Sequence, residues 1–166
     1  KYGSSNKKIS NVNVNKLKSN ADLVVSHIEY KWKNDNSREQ ESFKAVLESI
    51  NVAVNNQTKG GAFICKVNDL YTSISAKCLA LISEYYENVF IHKPYMSRLT
   101  ETDRYIVATG FKYKSGKELS SKNNVLSKLI KGIRGKNPYV ENIFSDYDVS
   151  LTLRAFMIMS NDIIAN

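Results

Sequence analysis

Two short β-type runs, each followed by a stretch with helical periodicity, constrain this chain more than any other feature. Residues 21–28, Ala-Asp-Leu-Val-Val-Ser-His-Ile, form a compact Val-rich run of the kind that suits a buried strand of a parallel sheet. After a polar loop holding Trp32 and Asn34, the sequence Ser37-Arg38-Glu39-Gln40 has the spacing of a capping box. Phe43, Val46, Leu47, Ile50 and Val54 then share one helical face, and the helix is predicted to end near Asn55-Asn56. Gly60-Gly61 marks a turn before a second run at residues 62–67. Ile74, Cys78, Leu81, Ile82 and Tyr85 repeat at helical spacing, and residues 88–92 give a third strand. Pro94 interrupts, a loop follows at residues 95–102, and residues 103–111 give a fourth strand ending at Gly110. Strands that alternate with helices predict an α/β sheet, and the short loop between the last two predicts an antiparallel hairpin at a sheet edge.

The flanks differ in character. Residues 1–20 are a polar lead-in whose weak alternation at Ile9, Val12 and Val14 fits either a short edge strand or a partly ordered segment. Residues 113–166 are a basic extension. It carries a helical pattern around Val125, Leu129, Ile130 and Ile133, and a later apolar stretch from Leu151 through Phe156 to Ile164. These helices pack on the sheet or form a surface for a partner.

Charge and cysteine usage narrow the function class. The formal net charge is +8 over 166 residues, which suits a polyanionic partner such as RNA, although a lysine-rich solvated surface is the ordinary alternative. Cys65 and Cys78 lie in apolar runs and form no C-x-x-C pair, so two reduced core thiols are expected, with no zinc site. The lead-in lacks the apolar core of a secretory signal. No run approaches the roughly 18 apolar residues of a membrane span. The expectation is an intracellular, cytoplasmic setting without a membrane partner. No phosphate-binding glycine loop of the P-loop type, hydrolase nucleophile motif or metal-ligand cluster is present.

An ordered set of short segments carries a family resemblance. These are Ala21 through His27, Gly60-Gly61-Ala62-Phe63-Ile64-Cys65-Lys66, Asp69-Leu70-Tyr71-Thr72, Lys93-Pro94 with Ser97-Arg98, and Asp103-Arg104-Tyr105-Ile106-Val107. In this order and spacing the chain resembles the C-terminal half of RNA 2′-O-methyltransferases of the FtsJ and mRNA-cap type. Cap-specific and large-DNA-virus members look closer than the bacterial ribosomal RNA enzymes.

The resemblance implies a partial Rossmann-like sheet over residues 21–112, S-adenosylmethionine as methyl donor, and RNA, in particular capped mRNA, as substrate. The family surrounds the ribose 2′-hydroxyl with a Lys-Asp-Lys-Glu tetrad. A 2′-hydroxyl is a poor nucleophile at neutral pH, and a lysine placed beside it can take its proton or stabilise the developing oxyanion. Lys66 matches the central lysine of that set. His27 stands where the family has aspartate and brings no negative charge at neutral pH. Glu29, two residues on, is a candidate substitute. Asp103 stands where the family has glutamate. It keeps the charge but is one methylene shorter, which puts its reach in question. The resemblance further places Ser26 and His27 beside the methyl donor, and Lys93, Ser97, Arg98 and Arg104 along the RNA path. Tyr95 is a candidate stacking residue, whereas Tyr71, Tyr85 and Tyr86 read as core or rim aromatics.

The family's glycine-rich donor loop has no counterpart in residues 1–20. The donor-binding strands are therefore expected from another polypeptide or segment. Two other readings stand beside the enzyme: a catalytically inactive structural or RNA-binding subunit, favoured by His27, and the methyltransferase region of a viral multifunctional replication protein, with which Ser26 to Glu29 is compatible.

Overall fold

A computed structural model describes residues 20–27, 35–68, 70–97, 103–114, 126–127 and 130–131. The sequence readings at the lead-in, Glu29, Trp32, Asn34, Asp69 and Arg98, and in most of the extension, lie outside these. In chain order the elements are β1 (Ala21–Ser26), a 3-10 turn (Asp35–Ser37), α1 (Arg38–Asn56), β2 (Gln57–Val67), α2 (Ser73–Tyr85), β3 (Tyr86–His92) and β4 (Arg104–Phe111). The four strands form one sheet in the order β1-β2-β4-β3. β1 and β2 are parallel, and β4 runs antiparallel to both β2 and β3. This is the partial Rossmann-like α/β architecture expected from the sequence. The predicted hairpin is present, but only β3 lies at the edge; β4 inserts between β3 and β2.

Both helices pack on one face of the sheet because their apolar stripes need cover. Phe43, Val46, Leu47, Ile50 and Val54 of α1 are all buried, as are Ile74, Cys78, Leu81, Ile82 and Tyr85 of α2. They meet Phe63 and Cys65 of β2 and Ile106 and Ala108 of β4 in one core. Full burial of a side chain such as Leu47 or Ile50 contributes about 1.5–3 kcal/mol. Tyr86, the first residue of β3, stacks near Phe63 and Phe111, with ring centroids 6.3 and 5.3 Å away. Leu126 closes this core from beyond β4.

The opposite face of the sheet is less covered. Leu23 and Val25 of β1 and Phe90 of β3 are more than half exposed. The expectation that β1 is a buried strand is thus corrected. A parallel strand is buried on both faces only when helices cover both, and among the described residues α1 and α2 lie on one.

Two local expectations also change. Gly60-Gly61 makes no turn before a strand, because β2 already begins at Gln57 and runs through both glycines. The register with β1 jumps from Ala21↔Gln57 to Leu23↔Ala62, so the glycines form a bulge. Gly60 has φ +84°, and a Cβ on Gly61 would meet the backbone oxygens of Thr58 at 2.9 Å and Asp22 at 3.1 Å. The Gln57 side chain staples the bulge by donating from Nε2 to the Ala62 carbonyl and accepting from the Tyr86 hydroxyl. The capping box at Ser37 does not form either. Ser37 is the N-cap of α1 but makes no side-chain cap bond; its hydroxyl donates to Glu41 at 2.6 Å instead.

Candidate functional site

The topology gathers the candidate residues at one edge of the sheet. β1 and β2 run the same way, and β3, antiparallel to β4, runs with them. The ends of these three strands therefore carry His27, Lys66 and Lys93 to the same edge, and β4 starts there with Asp103 and Arg104 immediately before and at its first residue. Ligands of open α/β sheets bind in the crevice outside the carboxyl ends of the parallel strands.

At this edge Lys66 Nζ lies 2.8 Å from Asp103 Oδ2. The aspartate reaches despite its shorter side chain, because β4 begins beside the end of β2: Lys66 pairs with Tyr105 and Val67 with Arg104. Both partners are largely shielded, with side-chain exposures of 17% and 29%. An ammonium has three donors. Asp103 holds one, and among the described residues no other bond to Nζ is seen, which leaves two donors to meet an oxygen atom.

His27 follows the Ser26↔Cys65 pair of β1 and β2, one step beyond which lies Lys66. Its side chain is exposed, and no bond to Lys66 is seen among the described residues. Ser26 turns toward α1, where its hydroxyl lies 2.8 Å from that of Ser49. Ser97 closes a tight turn by donating from both its amide and its hydroxyl to the Pro94 carbonyl. The tip of that turn, Tyr95 and Met96, is fully exposed.

Arg104 is 3% exposed, and its Nε and Nη1 have no hydrogen-bond partner among the described residues. Its guanidinium carbon lies 5.8 Å from the centre of the Tyr71 ring, within cation–π range. Tyr71, read from the sequence as a core or rim aromatic, is 64% exposed. The loop that carries it is held by Glu39. That carboxylate accepts from Tyr71 N at 3.2 Å, Thr72 N at 3.0 Å, the Thr72 hydroxyl at 2.8 Å and the Ser75 hydroxyl. Glu39 thus supplies negative charge to the N-terminus of α2, where unsatisfied amides favour an anion. No local pattern signals this role, since Glu39 and Thr72 lie 33 positions apart. A cavity beneath Glu39 is lined by Ser42, Phe43, Val46 and Cys78 and lies on the helix side of the sheet, with neither Lys66 nor Asp103 in its walls.

The two thiols are not reactive groups of this site. Burial pushes Cys65 up to about 12, partly offset by the Ser26 hydroxyl, and pushes Cys78 higher still.

A methyl donor beside Lys66 would need backbone that it can approach closely. The described glycines, Gly60, Gly61 and Gly110, all lie at the opposite edge, at the start of β2 or the end of β4. The described residues therefore build the lysine side of a site and do not fit a donor cradle.

Comparison with known proteins places the chain in a family. Residues 5–111 match the model of the FtsJ-like methyltransferase family. The chain belongs to that family. Among curated relatives, a cap-specific mRNA (nucleoside-2′-O-)-methyltransferase 1 of Caenorhabditis elegans is 33% identical over 92 residues, covering 55% of this chain and 9% of that protein. Its namesake in Ailuropoda melanoleuca is 43% identical over 53 residues, covering 32% of this chain and 6% of that protein. An inactive cap-specific mRNA (nucleoside-2′-O-)-methyltransferase 1B of Caenorhabditis briggsae is 24% identical over 79 residues, covering 48% and 9%. The chain thus spans less than a tenth of the length of these relatives. They are animal proteins, and the viral origin suggested by the sequence is not borne out.

Proposed function

We propose that this FtsJ-like domain contributes the lysine centre of an S-adenosylmethionine-dependent 2′-O-methyltransferase acting on capped mRNA. The observation that carries the reading is the Lys66–Asp103 pair at the carboxyl edge of the sheet. Asp103 holds Nζ in one direction, and the two remaining donors of Lys66 are available to a ribose 2′-oxygen. As the hydroxyl gives up its proton to solvent, hydrogen bonds from a fixed ammonium strengthen with the growing negative charge on the oxygen, which lowers the barrier selectively. The sulfonium of S-adenosylmethionine would supply the methyl group. Its cradle would come from residues outside the described set, with the end of β1 at His27 as the nearest described neighbour. Lys93, Ser97 and Arg98 are proposed to border the RNA path; Arg104, read from the sequence as a fourth such residue, is buried behind the Tyr71 ring and meets no RNA directly.

The test is transfer of a labelled methyl group from S-adenosylmethionine to capped RNA whose first nucleotide carries either a free or a methylated 2′-hydroxyl. Label on the first RNA alone supports the reading; label on both, or on neither, contradicts it.

A second reading is an inactive member of the family. The relative named as inactive gives it precedent, and the exposed His27 in place of a carboxylate favours it. His27→Asp separates the two. A sharp rise in methyl transfer supports a working site with a weakened field; absence of transfer from both proteins supports the inactive reading.

A further inference from the structure

We infer that Tyr71 is a stacking platform for a neutral nucleobase of the RNA, an assignment that rests on the RNA-directed reading above. A tyrosine at the surface normally lays its ring against the protein, yet Tyr71 keeps 64% of its surface in solvent while its backbone is clamped. Glu39 takes the Tyr71 amide at 3.2 Å and the next amide at 3.0 Å, which fixes the loop on which the ring stands. Behind the ring lies the Arg104 guanidinium, 5.8 Å from its centre. Arg104 is buried, and its Nε and Nη1 have no hydrogen-bond partner among the described residues, while the negative π-face of the ring lies within cation–π range of its guanidinium. An exposed ring on a rigid backbone loses little entropy when a base stacks on it.

The location fits an RNA path. Arg104 follows Asp103, whose carboxylate holds Lys66, so platform and lysine centre share one edge of the sheet. The charge behind the ring also sets a preference. A guanidinium already draws on the negative π-face and repels a second cation stacked over the other side. A neutral base is therefore accepted in preference to the positively charged N7-methylguanine of a cap. The occupant is a transcript base, and the methylated cap base must be held elsewhere.

The test uses the whole chain with short single-stranded oligoadenylate carrying one 2-aminopurine, whose emission is quenched when it stacks on an aromatic ring. Wild type and Tyr71→Phe should bind and quench alike. Tyr71→Ala should lose roughly tenfold or more in affinity together with the quenching. Because Tyr71 contributes little to the core, circular dichroism should find this variant folded. Guanosine monophosphate should compete better than N7-methylguanosine monophosphate. Unchanged binding and quenching in Tyr71→Ala overturn the platform while leaving the RNA reading intact, and so does stronger competition by the methylated nucleotide. Absence of RNA binding by the wild type overturns both.

Discussion

Removing Asp103 should cost stability as well as activity, and the size of the cost follows from the shielding of the pair. Lys66 Nζ and Asp103 Oδ2 are 2.8 Å apart, with 17% and 29% of the two side chains exposed. Fully exposed pairs contribute about 0.2–1 kcal/mol. Breaking a fully buried pair by removing one partner costs about 3–5 kcal/mol, because the other charge is stranded. This pair lies between those limits, so Asp103→Ala should destabilise by about 1–2 kcal/mol. Asp103→Asn should cost less, since its amide oxygen can still accept from Nζ. Lys66→Met removes the stranded charge, and Asp103→Ala should then have a smaller effect. Urea denaturation of the wild type, both single variants and the double variant gives the coupling directly, expected near ~1 kcal/mol. Additive costs, with coupling below about 0.3 kcal/mol, would mean the ion pair is not a fixed part of the site.

Two further outcomes follow from the fold. Gly61→Ala should destabilise by about 1–3 kcal/mol in the same assay, because the new Cβ meets backbone oxygens of Thr58 and Asp22 that cannot rotate away; a neutral effect would contradict the bulge. Alkaline titration should weaken the fold. Burial raises Cys65 from 9.0 and Tyr85 from 10.0 to about 12, and pushes Cys78 and Tyr86 higher. Between pH 9 and about 12 the unfolded chain therefore holds fewer protons than the native one, and stability falls as pH rises. Unfolding monitored over that range, with both thiols unreactive toward a disulfide reagent at pH 8 until denaturant is added, checks the assignment. Stability that is flat to pH 12 or rises would refute it.

Much of this arrangement was legible in the sequence. The apolar stripes of α1 and α2 were read correctly because helical periodicity reports directly on burial. Lys66 and Asp103 were read as site partners from the order of short motifs, although only the register of β2 with β4 reveals that the shorter carboxylate reaches. Gly60-Gly61 misled because a pair of glycines signals a turn and a bulge equally well, and only pairing with β1 separates them. Ser37-Arg38-Glu39-Gln40 misled for a related reason: a local motif was taken to serve its own helix, whereas Glu39 holds the loop before α2. Tyr71, Tyr85 and Tyr86 were read together as core or rim aromatics; the structure puts Tyr85 and Tyr86 in the core and Tyr71 at the rim, a division for which the sequence carries no local signal. The inserted position of β4 is a matter of topology, which hydrophobic pattern does not encode.

The most direct test of the central claim is methyl transfer to capped RNA by Lys66→Met, measured beside binding of the same RNA. If Lys66 is the group that meets the 2′-oxygen, transfer should fall by roughly a hundredfold or more while RNA affinity stays within about threefold. Transfer retained at near wild-type rate would contradict the account and remove Lys66 from the chemistry.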